Sequence, residues 1–343
     1  MEPVVPTLLD TNPLWATALA VLAALWVDRL AGEPPTRWHP VVWMGRGLSG
    51  CQAWVAPLAN APTAASRLFP FCRGALAWCV GAAVVGLVAV GAEWILSRLP
   101  TTFGGLPGAG LVAALAMGAL LKPLMAWHML RSEVLAVEVA LSSSLDSGRA
   151  RLSWLCSRDV QALGPGEVRE TAIETLAENL NDSVVAPLFW FLVAGLPGAA
   201  LYRWANTADA MWGYRGERGG RCWEWAGKWA ARADDLLSWV PARLTGALLM
   251  LVGGQGRWLD WLRDARTTPS PNGGWPMAAM ALRLGVRLGK PGVYTLNAGG
   301  AVPEKRHVLG ALARAGRAVA CLHGLAWGAA GFAALQWVQR GAV

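Results

Sequence analysis

Long apolar runs alternate with polar segments that contain glycine and proline along the whole chain. A helix needs about 20 mostly apolar residues to cross the ~30 Å hydrocarbon core of a bilayer. Four runs reach or approach that length: Leu14–Val27, Ala75–Leu96, Leu111–Trp127 and Ala318–Val338. The pattern predicts an all-α polytopic integral membrane protein. We expect residues 1–343 to form a single membrane domain of about four full spans plus re-entrant or broken helices.

The apolar stretch Val184–Leu201 differs from these runs because the turn-like sequence G-L-P-G interrupts it at residues 195–198. As one helix it would be about 27 Å long and could cross the bilayer. Proline removes a backbone donor and disfavours helix at the preceding residue, so we interpret G-L-P-G as the bend of a hairpin. The polar clusters at 178–183 and 206–214 then both lie at the cytoplasmic face. Irregular backbone at membrane depth must be buried in protein or line a cavity, which makes the region a candidate site.

Two proline-rich loops, Asp28–Gly45 and Arg263–Pro276, cannot be helical throughout. Each combines acidic or amide side chains with glycines, where a ligand can approach the backbone closely. The helical pattern resumes at Met277–Leu288. The apolar segment Ala247–Gly254 is short, so we expect a re-entrant or partly buried helix there, with a full span as the main alternative.

The composition agrees with a membrane location. Hydrophobic residues make up 55% of the chain, charged residues only 15%, and the mean hydropathy is +0.36. The 21 tryptophans suit the membrane–water interface. The net charge of +8 comes from arginines spread over the loops, which indicates basic cytoplasmic loops beside anionic lipid and not nucleic-acid binding. The six cysteines form no C-x-x-C pair, so neither a zinc site nor a disulfide framework is indicated.

The charges around the first apolar run predict its orientation. Glu2 and Asp10 precede this run, and the first basic residue is Arg29, which follows it. A cleaved signal peptide has a basic region before its apolar run, so we expect this span to be retained. The asymmetry places the N-terminus outside and Arg29 inside.

Several charged residues lie close to the predicted spans. Glu170, Glu174, Glu178 and Asp182 follow one another at i+4 spacing and therefore form one helical stripe. Such a stripe is usually a solvated face, but here it leads into an apolar segment, where ionised carboxylates need counter-charges or a metal. Lys122 lies near the inner end of the third span and could snorkel to the interface or face inward as a functional cation.

The sequence lacks the common nucleotide and hydrolase motifs: it has no P-loop, no H-E-x-x-H and no G-x-S-x-G. The remaining Asp, Asn, Glu and Arg residues suit the binding of phosphates through Mg²⁺, because that ion takes hard oxygen ligands from carboxylates and substrate phosphates. The arginines that could clamp phosphate oxygens are Arg158, Arg203, Arg215, Arg232 and Arg243.

Six motifs in order resemble one known family. They are GEPPTRWHPVVWMG, SRDVQAL, IETLAENLNDSVVAPLFW, LPGAALYRWANTADAMWGY, ARADDLLSWVPARLTG and RDARTTPSPNGGWPMAAMA. Together they resemble the adenosylcobinamide-phosphate synthase family of cobalamin biosynthesis, the CbiB/CobD type. The resemblance implies a ligase of the bacterial inner membrane with a cytoplasmic active face. Such an enzyme joins adenosylcobyric acid to (R)-1-aminopropan-2-ol O-phosphate, or to aminopropanol, with ATP as co-substrate and Mg²⁺ as cofactor. Its expected partners are the lipid bilayer and other cobamide nucleotide-loop assembly enzymes, and no nucleic acid.

The residues that match the family motifs provide the candidate site. The expected catalytic residues are His39, Asp182 and Asp209. The expected substrate- or phosphate-binding residues are Arg158, Asn179, Asn206, Tyr214, Arg243, Ser270 and Asn272. The expected metal ligands are Glu178, Asp182, Asp209, Asp234 and Asp235. Asp28, Glu33, Asp159 and Asp264 also match.

Two positions depart from the family pattern, which has His where this chain has Thr268 and an acidic residue where it has Met277. His39 is therefore the one family-matched imidazole. It could take the proton from the attacking ammonium, because an unperturbed imidazole titrates near neutral pH. The alternative for His39 is a packing role in a proline-rich turn.

Two other functions use similar features. A transporter also needs broken helices and intramembrane carboxylates, although no inverted repeat is visible here. A non-catalytic membrane scaffold or sensor related to the family is the other alternative.

Overall fold

Most of the chain is helical in the computed structural model, which describes residues 13–61, 66–102, 108–156, 158–254 and 257–341. Glu2, Asp10 and part of the predicted outside turn Ser97–Gly110 lie outside the described residues. The helices in chain order are α1 Pro13–Ala31, α2 Pro40–Val55, α3 Leu68–Thr102, α4 Ala109–Leu121, α5 Trp127–Ser143, α6 Leu145–Leu152, α7 Pro165–Leu180, α8 Ala186–Trp212, α9 Lys228–Leu237, α10 Trp239–Leu251, α11 Trp258–Asp264, α12 Gly274–Leu284 and α13 Lys305–Gly341. Short 3₁₀ helices cover Thr36–Trp38 and Lys122–Leu124, and a π-helix covers Asn181–Val185.

The sheet content is minimal. Strands β1 (Glu217–Arg218) and β2 (Arg221–Cys222) form one antiparallel pair, and β3 (Leu288–Lys290) and β4 (Tyr294–Leu296) form another. The all-α prediction is confirmed.

Five stretches of helix are long and apolar enough to cross a membrane: Pro13–Ala31, Leu68–Arg98, Ala109–Ser143, Pro165–Trp212 and Lys305–Gln339. Four of them contain the four predicted spans. The remaining stretch, Pro165–Trp212, contains the predicted hairpin. Helix α10, with 13 residues, is about 20 Å long and too short to span. This agrees with the prediction of a partial helix there and not with a full span.

The stretch Pro165–Trp212 is interrupted inside α8, where the irregular backbone begins one residue before the predicted bend. Ala194 (φ −141°, ψ 26°) and Gly195 (φ 63°, ψ −158°) are non-helical, and the positive φ is one that glycine adopts easily. The carbonyl oxygen of Trp190 occupies the place that a side chain on Gly198 would need. Residues eight apart in a straight helix are about 12 Å apart, so the chain bends sharply at this break, and the return of both arms to one face stays a prediction.

The contacts of the described residues divide them into two compact units. The first unit lies within Met1–Met125, Pro187–Leu237 and His323–Val343, and the second within Ala126–Ala186 and Ser238–Leu322. In the first unit α1 packs closely on α4, because Gly118 of α4 leaves room for the backbone of Ala20 and the methyl group of Ala23.

The break in α8 is stabilised by α3. The Glu93 carboxylate of α3 accepts a hydrogen bond from the Leu196 N–H at 3.0 Å, just after the break. The indole of Trp204 donates to the carbonyl of Trp78 at 3.1 Å further along the same pair of helices. A backbone donor that the bend would leave unpaired in lipid is therefore satisfied inside the protein.

The second unit is built around α7 and α12. Helices α5, α6 and α12 pack on α7, while α10 and α11 pack on α12. Strand β3 also contacts α7. This arrangement brings α10 and the loop between α11 and α12 to the N-terminal end of α12.

Candidate functional site

Three predicted site residues from separate segments meet at the N-terminal end of α12. Arg243 from α10 donates through Nη1 to Oδ1 of Asn272 at 3.2 Å. The hydroxyl oxygen of Ser270 accepts from the backbone N–H groups of Asn272 at 3.2 Å and Gly273 at 3.1 Å. The structure therefore brings together three of the predicted substrate- or phosphate-binding residues, Arg243, Ser270 and Asn272.

Arg243 and Ser270 also line a pocket of about 360 Å³, which we call the arginine pocket. Its other lining residues are Trp239, Ala265, Arg266, Thr268, Pro271 and Trp275. The lining combines two guanidinium groups, two hydroxyls and two indole rings and contains no carboxylate. Such a lining suits an anion with several oxygens, above all a phosphate.

The guanidinium of Arg243 is held from several sides. It donates to the carbonyl oxygens of Trp239 at 2.6 Å and Pro271 at 3.4 Å. Its central carbon lies 4.1 Å from the ring centroid of Trp239 and 4.6 Å from that of Trp275. Because the group is already fixed, binding an anion costs it little further conformational entropy.

The second guanidinium, that of Arg266, makes the pocket electrostatically positive. Burial lowers the pKa of Arg243, and the charge of Arg266 lowers it further. The side chain of Arg266 is exposed, and no hydrogen bond from it to a described residue is seen. An anion between the two cations would relieve their repulsion.

The loop before α12 is shaped by its small and hydroxylated residues. Thr268 donates its hydroxyl to the carbonyl of Ser270 at 2.9 Å. A side chain on Gly274 would collide with the carbonyl of Ala265 and would stand 2.5 Å from the Thr268 hydroxyl, so only glycine fits there. The loop is thereby held at the start of an 11-residue helix, where the helix dipole favours negative charge.

The acidic stripe of α7 is buried at its first two positions, in contrast to the usual solvated face. The side chains of Glu170 and Glu174 are almost inaccessible. Arg158 donates to Glu174 at 3.0 Å, and the Tyr294 hydroxyl donates to the other oxygen of Glu174 at 2.8 Å. Burial raises the pKa of Tyr294, and the charge of Glu174 raises it further. Arg158, predicted to bind phosphate, is in this structure the counter-charge of Glu174.

The later positions of the stripe lie nearer the arginine pocket. Glu178 is exposed, and its Oε1 is 2.9 Å from the place that a Cβ on Gly273 would occupy. Asp182 accepts from the amide of Asn181 at 2.8 Å inside the π-helix, an irregularity that is often found at functional sites. Asn179 donates to the carbonyl of Thr175 at 3.0 Å.

A second group of predicted residues lies in the first unit. Asn206 of α8 donates to Asp234 of α9 at 3.4 Å, and Arg203 donates to Asn206 at 3.3 Å. The Asp209 carboxylate lies against Gly213, where a side chain would collide with it. The structure therefore brings Asn206 and Asp234 together from separate helices.

Three other predicted residues, Asp235, Tyr214 and Arg232, lie close to this group in the sequence. Burial raises the pKa of Asp235, while the charges of Arg232 and Arg215 act in the opposite direction. The Tyr214 hydroxyl donates to the carbonyl of Ala210 at 2.7 Å, and Arg218 stacks 3.7 Å from the tyrosine ring. Arg232 pairs with Asp235 at 3.8 Å but remains largely exposed.

His39, the predicted base, also lies in the first unit, immediately before α2. Its Nε2 lies 3.1 Å from Oε2 of Glu33. A carboxylate that holds one imidazole nitrogen fixes the orientation of the ring. The contact links two residues of the Asp28–Gly45 loop, and the role of this loop as a site stays a prediction.

The arrangement of possible metal-ligating side chains shows which form of Mg²⁺ the protein could bind. In the described part of the chain no three His, Cys, Asp or Glu side chains gather around a common point. The predicted metal ligands instead supply adjacent or nearby carboxylates, such as Asp234 and Asp235 in the first unit. Mg²⁺ that arrives with nucleotide phosphates needs only one or two protein carboxylates, so these residues fit that form of the ion and not an all-protein cage.

Three residues that line the arginine pocket were not among the site residues predicted from the sequence. Arg266, Trp239 and Trp275 line the arginine pocket, and Lys122 contacts Glu33. Arg266 and Trp275 lie in the quoted motif RDARTTPSPNGGWPMAAMA and Trp239 lies in ARADDLLSWVPARLTG, so membership in these motifs was the available signal. Lys122 does not snorkel: its side chain is only 3% exposed.

Comparisons with known proteins agree on one family. The family model described as CobD/Cbib protein matches residues 21–319. The cobalamin biosynthesis protein CobD of Chromobacterium violaceum is 42% identical over 276 residues, covering 80% of this chain and 81% of the relative. The corresponding protein of Stutzerimonas stutzeri is 39% identical over 303 residues, covering 86% and 91%. The probable cobalamin biosynthesis protein CobD of Methanothermobacter thermautotrophicus is 38% identical over 282 residues, covering 80% and 85%. No solved structure matches the chain.

Proposed function

Because the chain belongs to the CobD/CbiB family, we propose that it is a membrane enzyme of cobalamin biosynthesis that forms an amide bond at the expense of ATP. Its substrates are adenosylcobyric acid and an aminopropanol, in the form of (R)-1-aminopropan-2-ol O-phosphate or the free amino alcohol. The relatives carry names that assign them to cobalamin biosynthesis. The multi-pass character of the described helices agrees with a membrane enzyme.

The proposed reaction needs activation, since a carboxylate does not condense with an amine unaided. ATP transfers its terminal phosphoryl group to the corrinoid carboxylate, which gives an acyl phosphate and ADP. The amine then attacks the acyl carbon, the phosphate leaves with its bonding electrons, and the nitrogen loses a proton. Positioning of the reactants and neutralisation of phosphate charge supply most of the rate in such reactions.

The arginine pocket is the observation that carries this proposal. It joins two guanidiniums, two hydroxyls and the N-terminus of α12 around a space of about 360 Å³. A phosphate monoester presents several charged oxygens, and an arginine can donate to two of them at once. The indoles of Trp239 and Trp275 hold Arg243 in place and close the pocket on its apolar side.

The predicted acidic residues have a complementary role in the proposal. Glu178 and Asp182 in the second unit, or Asp209, Asp234 and Asp235 in the first, would hold Mg²⁺ through one or two carboxylates each. When bound, the ion neutralises phosphate charge and orients the transferred group. Asn206 donates to Asp234 in the first unit, and Asn181 donates to Asp182 in the second, so each amide orients one of the candidate metal ligands.

The test is product formation by the purified protein. We expect the protein, reconstituted in lipid with adenosylcobyric acid, an aminopropanol substrate, ATP and Mg²⁺, to produce the corrinoid amide together with ADP. The arginine-pocket variant Arg243→Gln should lose most of this activity, whereas Arg131→Gln, an exposed arginine of α5, should retain it.

Complementation in cells separates the alternatives. A strain that lacks its own synthase and is supplied with cobyric acid should make cobalamin when it carries this chain. ATP-independent uptake without amide product would indicate a transporter. Failure in both assays, by folded protein, would indicate a non-catalytic relative and refute the proposal.

A further inference from the structure

Four ionisable side chains form a chain of close contacts in the first unit, which we call the His39 cluster. The Lys122 ammonium lies 3.2 Å from Oδ1 of Asp28 and 2.8 Å from Oε2 of Glu33. The same Glu33 oxygen lies 3.1 Å from Nε2 of His39. The four residues come from the end of α1, the loop after it and the 3₁₀ turn that follows α4.

The interior of this cluster is shielded from solvent. The side chains of Asp28 and Lys122 are 1% and 3% exposed, and those of Glu33 and His39 are 17% and 14% exposed. Burying an ionised group is costly unless opposite charges compensate it. The cluster holds two carboxylates and one ammonium group and so has a net charge of −1. Protonation of the imidazole would make the cluster neutral.

The protonation state of Glu33 determines which imidazole nitrogen carries hydrogen. Burial by itself raises the pKa of Glu33, but the hydrogen bonds and charges of His39 and Lys122 outweigh it and lower the pKa below its ordinary value. Glu33 is therefore ionised at neutral pH and only accepts hydrogen bonds. In the neutral ring Nε2 must then carry the hydrogen that it donates to Glu33, and Nδ1 is the nitrogen with the free lone pair.

The surroundings of Nδ1 agree with a role as acceptor. It is buried and has no hydrogen-bond partner among the described residues. An unpaired buried acceptor costs free energy, so a structure retains one most readily where a donor binds during function. The His39 side chain as a whole is 14% exposed, so solvent reaches other atoms of the ring.

We propose that Lys122 and Glu33 are positioning residues that fix His39 in the tautomer whose Nδ1 accepts a proton from the ammonium group of the amine substrate. The inference rests on the proposed amide synthesis. In the step concerned, one N–H bond of the ammonium breaks, its electron pair stays on the substrate nitrogen, and the proton bonds to Nδ1. The imidazolium formed is stabilised by Glu33, which Lys122 and Asp28 hold in place.

The experiment measures kcat against pH for wild-type protein and for Glu33→Gln and Lys122→Met. The active form of His39 is neutral, so kcat rises with pH through an inflection. Removing the negative charge of Glu33 destabilises the imidazolium and should move the inflection to lower pH. Removing the positive charge of Lys122 should move it to higher pH. Each shift should be about one pH unit, and the plateau should fall at least ~10-fold because the ring loses its orientation.

Matched controls separate these effects from a general change of charge. Glu217→Gln and Lys305→Met remove the same charges from exposed positions and should leave the profile unchanged. Shifts in the same direction in the two cluster variants, or lower plateaus with unmoved inflections, would show a merely structural role and overturn the inference.

A second measurement does not depend on activity. In a variant that keeps His39 and lacks His128, His307 and His323, ¹⁵N NMR of the remaining imidazole reports its tautomer directly. We expect the neutral ring to carry its hydrogen on Nε2, and a neutral ring with hydrogen on Nδ1 alone would refute the inference even if Lys122→Met failed to fold. Wild-type protein that makes no amide at any pH would instead refute the proposed function, whatever the tautomer.

Discussion

Substitution of Arg266 in the arginine pocket should weaken phosphate binding without lowering the stability of the protein. Arg266 contributes charge to the pocket, but no hydrogen bond from its side chain to a described residue is seen. Its charge disfavours the protonated form of Arg243. Replacing Arg266 by Gln should therefore leave the fold intact and relieve a repulsion between two cations. We expect the melting temperature to stay the same or rise slightly, within the ~0.5 kcal/mol typical of surface substitutions.

The same substitution should weaken phosphate binding substantially. A hydrogen bond between a charged donor and a phosphate oxygen contributes about 1.5–3 kcal/mol. Because each 1.4 kcal/mol is about a tenfold change in affinity, the dissociation constant should rise by about 10- to 150-fold. Arg243→Gln should weaken binding as well, but it should also lower the melting temperature, since Arg243 bonds Asn272 and packs between Trp239 and Trp275.

Calorimetric titration with aminopropanol phosphate, and separately with ATP, identifies the ligand whose phosphate occupies the pocket. Unphosphorylated aminopropanol serves as the ligand control, because its affinity should not depend on Arg266. Arg131→Gln serves as the protein control. Unchanged affinity for both phosphate-bearing ligands in Arg266→Gln and Arg243→Gln would refute the assignment of the pocket to phosphate.

Three further predictions concern other parts of the chain. Glu93→Leu leaves the Leu196 N–H without its acceptor and should lower the free energy of unfolding by about 1–3 kcal/mol, measured by thermal melting in detergent; an unchanged melt would contradict this role. Asp182→Asn and Asp209→Asn should each leave folding intact and lower turnover by at least ~10²-fold, and near-normal turnover in both would remove them from the site. The lowered pKa of Glu33 means that its stabilising contribution is present at neutral pH and is lost as the pH falls through and below the ordinary value of 4.5. Wild-type protein should thus lose more stability on acidification than Glu33→Gln, and parallel losses would argue against the ion pair.

Local pattern predicted most of the helices. Apolar runs of sufficient length predict spans because unpaired backbone polar groups cannot be left in lipid, and this argument needs only neighbouring residues. The break near residues 195–198 was likewise visible, because the effects of proline and glycine on the backbone are local. The local pattern did not identify Glu93 of α3, whose carboxylate accepts the hydrogen bond of the Leu196 N–H at the break.

The family-like motifs named residues from separate segments that turn out to be neighbours in space. Arg243, Ser270 and Asn272 do meet, and Asn206 does contact Asp234. The role of Arg158 was harder to predict, because its partner Glu174 belongs to a different segment. An arginine in a motif can bind substrate or neutralise a buried carboxylate, and only its neighbours in space distinguish the two.

The sequence by itself therefore determined the membrane character of the chain, its helical class, the position of the break in α8 and the motifs of its family. Tertiary structure decided which side chains are buried and with which partners. Lys122 could snorkel or turn inward, and the carboxylates of Asp28 and Glu33 make the inward position favourable. Glu174 could face solvent or the interior, and Arg158 with Tyr294 compensates its burial. The free energy of a buried charge depends on groups that are distant in the sequence, whereas helix formation and hydropathy depend on groups that are adjacent.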